Sequence, residues 1–157
     1  FLALLLPRGA ALLLWSLALS LMKAHTQELY YQDVAGLGRR LPAATASLFL
    51  GQLSLAGFPL LAGFPVQIAL WTELAGQTLP AVLLALLGSA GLLISAIRTL
   101  AVLVAGPDEE PWNVSESNSQ LGLLLAGWVL TLLFGLRPQW LLLPLMHLAQ
   151  QLAGLIR

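Results

Sequence analysis

"LSLAGFPLLAGFPVQIALW" covers Leu53–Trp71. Nearly every residue in it is apolar, yet Gly57, Pro59, Gly63 and Pro65 divide it, and one amide, Gln67, follows the second division. Glycine commonly ends helices and proline commonly opens them. The stretch therefore predicts a helix ending near Gly57–Pro59 and an irregular lead-in over Leu60–Phe64. A second short helix should run from near Pro65 to about Ala75, with Gly76 as its stop. At membrane depth, broken backbone survives only where protein or water satisfies its N–H and C=O groups. The break thus needs partners, and the polar residue that follows it is an amide and not a charge.

The surrounding chain is suited to a bilayer. Of its 157 residues, 59% are hydrophobic and 9% charged, with seven Lys/Arg against seven Asp/Glu. Mean hydropathy is +0.87. Soluble domains carry about a quarter charged residues. Strand alternation is absent, which argues against a porin-like barrel. There is no basic cluster to support nucleic-acid binding. There is no cysteine, which excludes disulfides, iron–sulfur clusters and thiolate metal sites. His25 and His147 are far apart and outside any spaced ligand motif, so no metal site is expected.

The apolar blocks read as an all-α, polytopic transmembrane bundle of about five spans, forming a single domain over 1–157. Leu2–Met22 is the first span, with Pro7 in its opening turn and Arg8 snorkelling to the interface. It lacks a signal-peptide cleavage pattern. A chain that starts at Phe1 is expected to begin partway through a longer protein or to have been processed. Lys23–Pro42 is a polar connector, and Ala43 to about Phe58 the second span. Leu79–Val104 is a long span with a small-residue patch at Gly88–Gly91 that would let another helix pack closely. Gly106–Gln120 is a polar loop in which Asn113-Val-Ser115 matches the glycosylation pattern. Leu121–Leu136 is the last span. Residues 137–157 read as an amphipathic interfacial helix kinked at Pro144.

Five polar residues stand out within these blocks as candidates for a proton path. Gln52 and Gln67 are amides that must find partners in lipid. Ser54 sits beside the break. Glu73 is the nearest carboxylate to Gln67, but six residues on it falls well off the same helical face, where an interfacial placement is the simpler reading. Arg98 either snorkels toward Asp108, Glu109 and Glu110 or faces a buried carboxylate elsewhere. The connector's Lys and Arg residues favour the cytoplasm. With four full spans the acidic loop would share that side. Counting Pro65–Ala75 as a separate span would move it across.

From Asp33 to the C-terminus the sequence resembles the antiporter-like membrane subunits of respiratory complex I and its relatives. It is most similar to the N subunit, called the B subunit in the photosynthetic form. The residues that carry this are Asp33 with "GLGRRLP" from Gly36, "LSLAGFPLLAGF" from Leu53, "GSAGLLISAIR" (Gly88–Arg98) and "LLFGLRPQWL" (Leu132–Leu141). The family pattern reads roughly D-x-x-G-L-x-x-R-x-P, then L-S-L-A-G-I-P-x-x-x-G-F-x-G-K-F. Only the last third of such a subunit would be present. The resemblance implies interrupted helices at the membrane midplane that line a hydrated path. It also implies neighbouring membrane-arm subunits as partners, with flavin, iron–sulfur clusters and quinone held on other subunits. The membrane would be a bacterial plasma membrane or a thylakoid-type membrane.

The chain departs from the family at a telling place. The alignment puts Gln67 on the family's proton-relay lysine and Val66 on its second glycine. Lysine changes protonation when burial lowers its pKa; glutamine does not titrate. The expectation is a membrane-arm subunit whose own proton step is degenerate and whose role is structural. Two alternatives are carried. One is a functional half-channel bridging through Gln52, Ser54, Gln67 and water. The other is a free-standing small membrane transporter or assembly factor. An enzyme active site is not expected, since there is no Ser/His/Asp set, phosphate loop or paired intramembrane carboxylate.

Overall fold

A computed structural model of the chain describes residues 2–26, 34–76, 79–105 and 114–137. Among these residues the regular structure is all helical, with six helices and no strands. They are α1 (Leu2–His25), α2 (Leu37–Arg40), α3 (Pro42–Ala56), α4 (Gly63–Ala75), α5 (Leu79–Val104) and α6 (Asn118–Leu136). The proposed tail helix over 137–157 and the Asn113 motif lie outside the described residues, apart from Arg137 at the end of α6 and Val114–Ser115.

Three helices are long and apolar enough to cross a membrane: α1 from Leu5, α5 and α6. This is compatible with an integral membrane protein. Among the described residues, three such helices stand where about five spans are expected. With 15 and 13 residues, α3 and α4 are only about 22 and 20 Å long, short of a hydrocarbon core of about 30 Å.

Hydrogen bonds and close packing show how the two short helices relate. Gly63 lies beside Ser54, and Gln67 lies beside Gly57. As α4 advances it therefore moves along α3 in the same direction. The pair forms one interrupted passage. In hydropathy two apolar runs separated by a break look like two spans, because helix direction is invisible there.

The ends of the passages agree with this. Gly36 N–H donates to the Val102 carbonyl at 3.3 Å, so α2 sits against the end of α5. Ser115 N–H donates to the Arg40 carbonyl at 3.0 Å. The segment before α6 thus lies at the same end of the bundle as the α2–α3 corner. The described parts of these two polar stretches, around Gly36–Arg40 and Ser115, therefore lie at one end of the bundle.

The core forms where α1, α3, α5 and α6 meet. Leu14, Ala18 and Met22 pack with Leu41, Ala44, Leu48, Leu103 and Leu124. In lipid such contacts act through close packing more than through exclusion of water. Gly51 permits it: a Cβ there would lie 2.9 Å from Trp15 Cβ. Trp128 Nε1 donates to Ser47 Oγ at 2.6 Å, and Ser47 donates onward to the Ala43 carbonyl at 2.7 Å, tying α6 to α3.

The outer surface is apolar. On α5 only Ala96 and Leu103 are buried, while Leu84 is 70% and Ile94 67% exposed. Apolar area of this extent on a helix surface is a lipid- or protein-facing surface.

Helix ends differ from expectation by a turn or less, for local reasons. α1 runs three residues past Met22, its end carrying Lys23 and His25, which favour a helix C-terminus. Its start places Pro7 beyond the first turn. α6 begins at Asn118 and not at Leu121, because Ser117 and Gln120 form a reciprocal capping box.

Candidate functional site

The break in the α3–α4 passage is the centre of the site. α3 closes with Gly57 at φ 84°, a left-handed residue that a side chain would strain. Gly57 N–H donates to the Ser54 carbonyl at 3.1 Å, and Phe58 N–H to the Leu53 carbonyl at 3.0 Å. Together these form the paired bonds of a Schellman end, which satisfies two carbonyls that the helix leaves open. The turn continues through Leu61 N–H to the Phe58 carbonyl at 3.3 Å. Leu60 takes a left-handed conformation at φ 74° although it is not glycine. Its carbonyl is held against α6, where a Cβ on Gly135 would overlap it.

Helix α4 opens one residue pair earlier than Pro65, at Gly63. Its first N–H groups need partners outside the helix. Gly63 N–H donates to the fully buried Ser54 Oγ at 3.1 Å. Phe64 N–H donates to the Leu61 carbonyl at 3.0 Å. Pro65 has no N–H to satisfy. From Val66 the helix's own i→i−4 ladder takes over. Two of the opening N–H groups, those of Gly63 and Phe64, thus find acceptors within the chain. Gly63 is required because its backbone rests on Ser54, where a Cβ would overlap the carbonyl oxygen and stand 2.7 Å from its carbon.

Gln67 follows one turn later. Its stem lies on Gly57: a Cβ there would meet Gln67 Cγ at 2.7 Å and Cβ at 2.8 Å. Its Nε2 donates to Ser89 Oγ on α5 at 2.7 Å, and Ser89 Oγ donates to the Ala85 carbonyl at 3.0 Å. The amide therefore leads into a hydroxyl and then into a helix carbonyl. Each of these links is neutral.

The other sequence candidates lie apart from this point. Gln52 is half-buried on α3, its Oε1 buried without a hydrogen-bond partner, and it lines a cavity with Trp15, Ser95 and Thr99. Glu73 is exposed further along α4. Arg98 is exposed on α5, and the acids at 108–110 lie outside the described residues. The structure joins Ser54 to Gly63 and Gln67 to Ser89, and places Gln52 on a separate cavity. Among the described residues, no three His, Cys, Asp or Glu side chains gather in a metal-binding group.

Two contributors were missed by the sequence reading. Ser89 was seen only as part of a small-residue patch. Glu116 was seen only as a loop acid, yet its Oε1 accepts from Ala44 N–H at 2.8 Å and its Oε2 from Ala43 N–H at 3.1 Å. A carboxylate from the far end of the chain therefore caps α3, whose own N-cap residue, Leu41, supplies no side-chain bond. Pro42 at the first helical position was the readable half of that start.

No family model matches the chain, and no curated protein or solved structure is detectably similar to it.

Proposed function

We propose that this chain is part of the membrane arm of a complex-I-like quinone oxidoreductase, in the position of an antiporter-like subunit, where its role is structural and its own proton step is degenerate. The reading is supported by one observation above the rest. The interrupted α3–α4 passage carries its polar residue one turn past the break, where the resembling family carries a lysine, and here that residue is Gln67 hydrogen-bonded to Ser89.

The chemistry follows from the groups present. A relay needs a residue that binds and releases a proton at accessible cost, and an amide does not. Gln67 instead fastens α4 to α5. The break keeps its shape through Ser54, Gly57 and Gly63 without a charge. The exposed apolar flanks of α5 and α6 are the surfaces on which lipid and neighbouring membrane-arm subunits would pack. Flavin, iron–sulfur clusters and quinone would belong to those partners. The host membrane would be a bacterial plasma membrane or a thylakoid-type membrane.

The test is purification from native membranes under mild detergent. Co-migration with a large complex that reduces quinone supports the reading. A stable isolated oligomer without redox activity would overturn it in favour of a free-standing transporter or assembly factor. Within a co-migrating complex, Gln67→Leu should leave the proton-to-electron ratio unchanged. A reduced ratio would instead establish a working half-channel through the amide.

A further inference from the structure

A cavity of about 320 Å³ lies between α1, α3 and α5, away from Gln67. Trp15 and Leu19 of α1, Gln52 of α3, and Ser95 and Thr99 of α5 contribute to its wall. Its volume falls at the lower end of the range for small-molecule sites.

Two observations meet here. The first is polar: Gln52 Oε1 and Trp15 Nε1 are buried without a hydrogen-bond partner, and both residues line this cavity. Buried polar atoms are almost always paired, so each exception needs a cause. One of these atoms accepts and the other donates. Gln52 is half-buried, and its terminal amide torsion is soft, so the amide can turn toward an occupant.

The second observation is the setting. Among the described residues no ionisable side chain lines the cavity, so a charged ligand would lose hydration without gaining a counter-charge from them. Ser95 is exposed at the rim. It lies nine residues before the end of α5, about 14 Å in along the helix. From this level the wall reaches along α5 to Val102 and Leu103 near the helix end, and on to Met22 and Val34.

We propose that this cavity binds a small, neutral, lipid-soluble alcohol, whose hydroxyl donates to Gln52 Oε1 and accepts from Trp15 Nε1. A hydroxyl is the simplest neutral group that both donates and accepts. Its alkyl chain would lie along Leu19 and the neighbouring apolar wall. The alcohol could be a free aliphatic alcohol or the free hydroxyl of a diacylglycerol. This inference uses neither Gln67 nor the assignment to a respiratory complex.

The experiment is photolabelling of the full chain in phosphatidylcholine nanodiscs. An eight-carbon diazirine alcohol is compared with the diazirine alkane of equal length, and adducts are mapped by mass spectrometry. The alcohol should label the peptides around Trp15–Leu19 and Ser95–Thr99 about tenfold more than the alkane, the gain expected from one to two hydrogen bonds in an apolar setting. Gln52→Leu should reduce alcohol labelling to the alkane level, while Gln67→Leu should leave it unchanged. On the unaltered protein, excess 1-octanol should compete and octane should not. Competition by dioctanoylglycerol as well would assign the ligand to the membrane's own neutral lipids. Equal labelling by the two probes, adducts spread along the outer leucines of α5, or loss of label to octane as readily as to octanol would overturn the proposal.

Discussion

Gln67 Nε2 stands 2.7 Å from Ser89 Oγ, although the two residues are 22 positions apart and on different helices. Ser89 is already committed to the Ala85 carbonyl. The amide therefore finds an acceptor that requires no counter-charge. This explains why the break tolerates glutamine in so apolar a place. A charged group at the same position would carry a desolvation cost that a single hydroxyl does not offset.

Removing the amide should thus be mild. Gln67→Leu keeps most of the packing on Gly57 and loses one interhelical bond, so it should cost about 0.5–1.5 kcal/mol. Combining it with Ser89→Ala should cost less than the sum of the two single changes, because both delete the same bond. Reversible unfolding in detergent, run as a double-mutant cycle, measures the difference. Strict additivity would mean that the contact carries no energy.

The glycine at the start of α4 is far less replaceable. In Gly63→Ala the new methyl would overlap the Ser54 carbonyl, and backbone is poorly able to move aside. The two halves of the passage must separate, at about 3 kcal/mol or more. Gly88→Ala on α5 is the control: its Cβ would meet nothing within 4 Å. That change should be neutral or stabilising by up to about 1 kcal/mol from helix propensity. Thermal unfolding of the two variants side by side should therefore shift in opposite directions.

These contrasts also mark what could be read from the residues alone. Gly57 and Pro65 announced the break because turn and cap chemistry is local. Ser54 was singled out for its polarity, but its bond to Gly63 depends on the two helices overlapping in space. Ser89 had no local signal, since only tertiary packing brings it to Gln67. The capping box at Ser117 and Gln120 was legible and was passed over in favour of the first leucine. The number of passages was not legible, because hydropathy registers apolar blocks and not their direction, and α3 and α4 share one direction.

Glu116 offers a prediction of a different kind, because its contact spans 72 and 73 positions and involves backbone alone on the α3 side. Glu116→Ala should remove the charge-assisted cap and cost about 1–2 kcal/mol. Glu116→Gln retains one acceptor and should cost less. The direct measurement is amide hydrogen exchange. Ala43 and Ala44 should exchange faster in the alanine variant, while amides in the middle of α3 stay protected. Unchanged exchange at those two residues would show that the cap does not hold in solution.

The last prediction concerns which ends share a side. The chain has no cysteine, so single-cysteine labelling is free of background. Lys23, Val114 and Ala75 are all exposed. Lys23 closes α1 at the end where Ser115 meets Arg40, and Val114 lies beside that contact. Ala75 ends α4 at the far end of the interrupted passage. In sealed proteoliposomes of uniform orientation, Lys23→Cys and Val114→Cys should react with an impermeant maleimide from one side, and Ala75→Cys only from the other. Two separate crossings by α3 and α4 would return Ala75 to the side of Lys23 and send Val114 across. The interrupted passage requires the opposite pattern, because Gly63 lies beside Ser54 and Gln67 beside Gly57, so that α4 runs in the direction of α3.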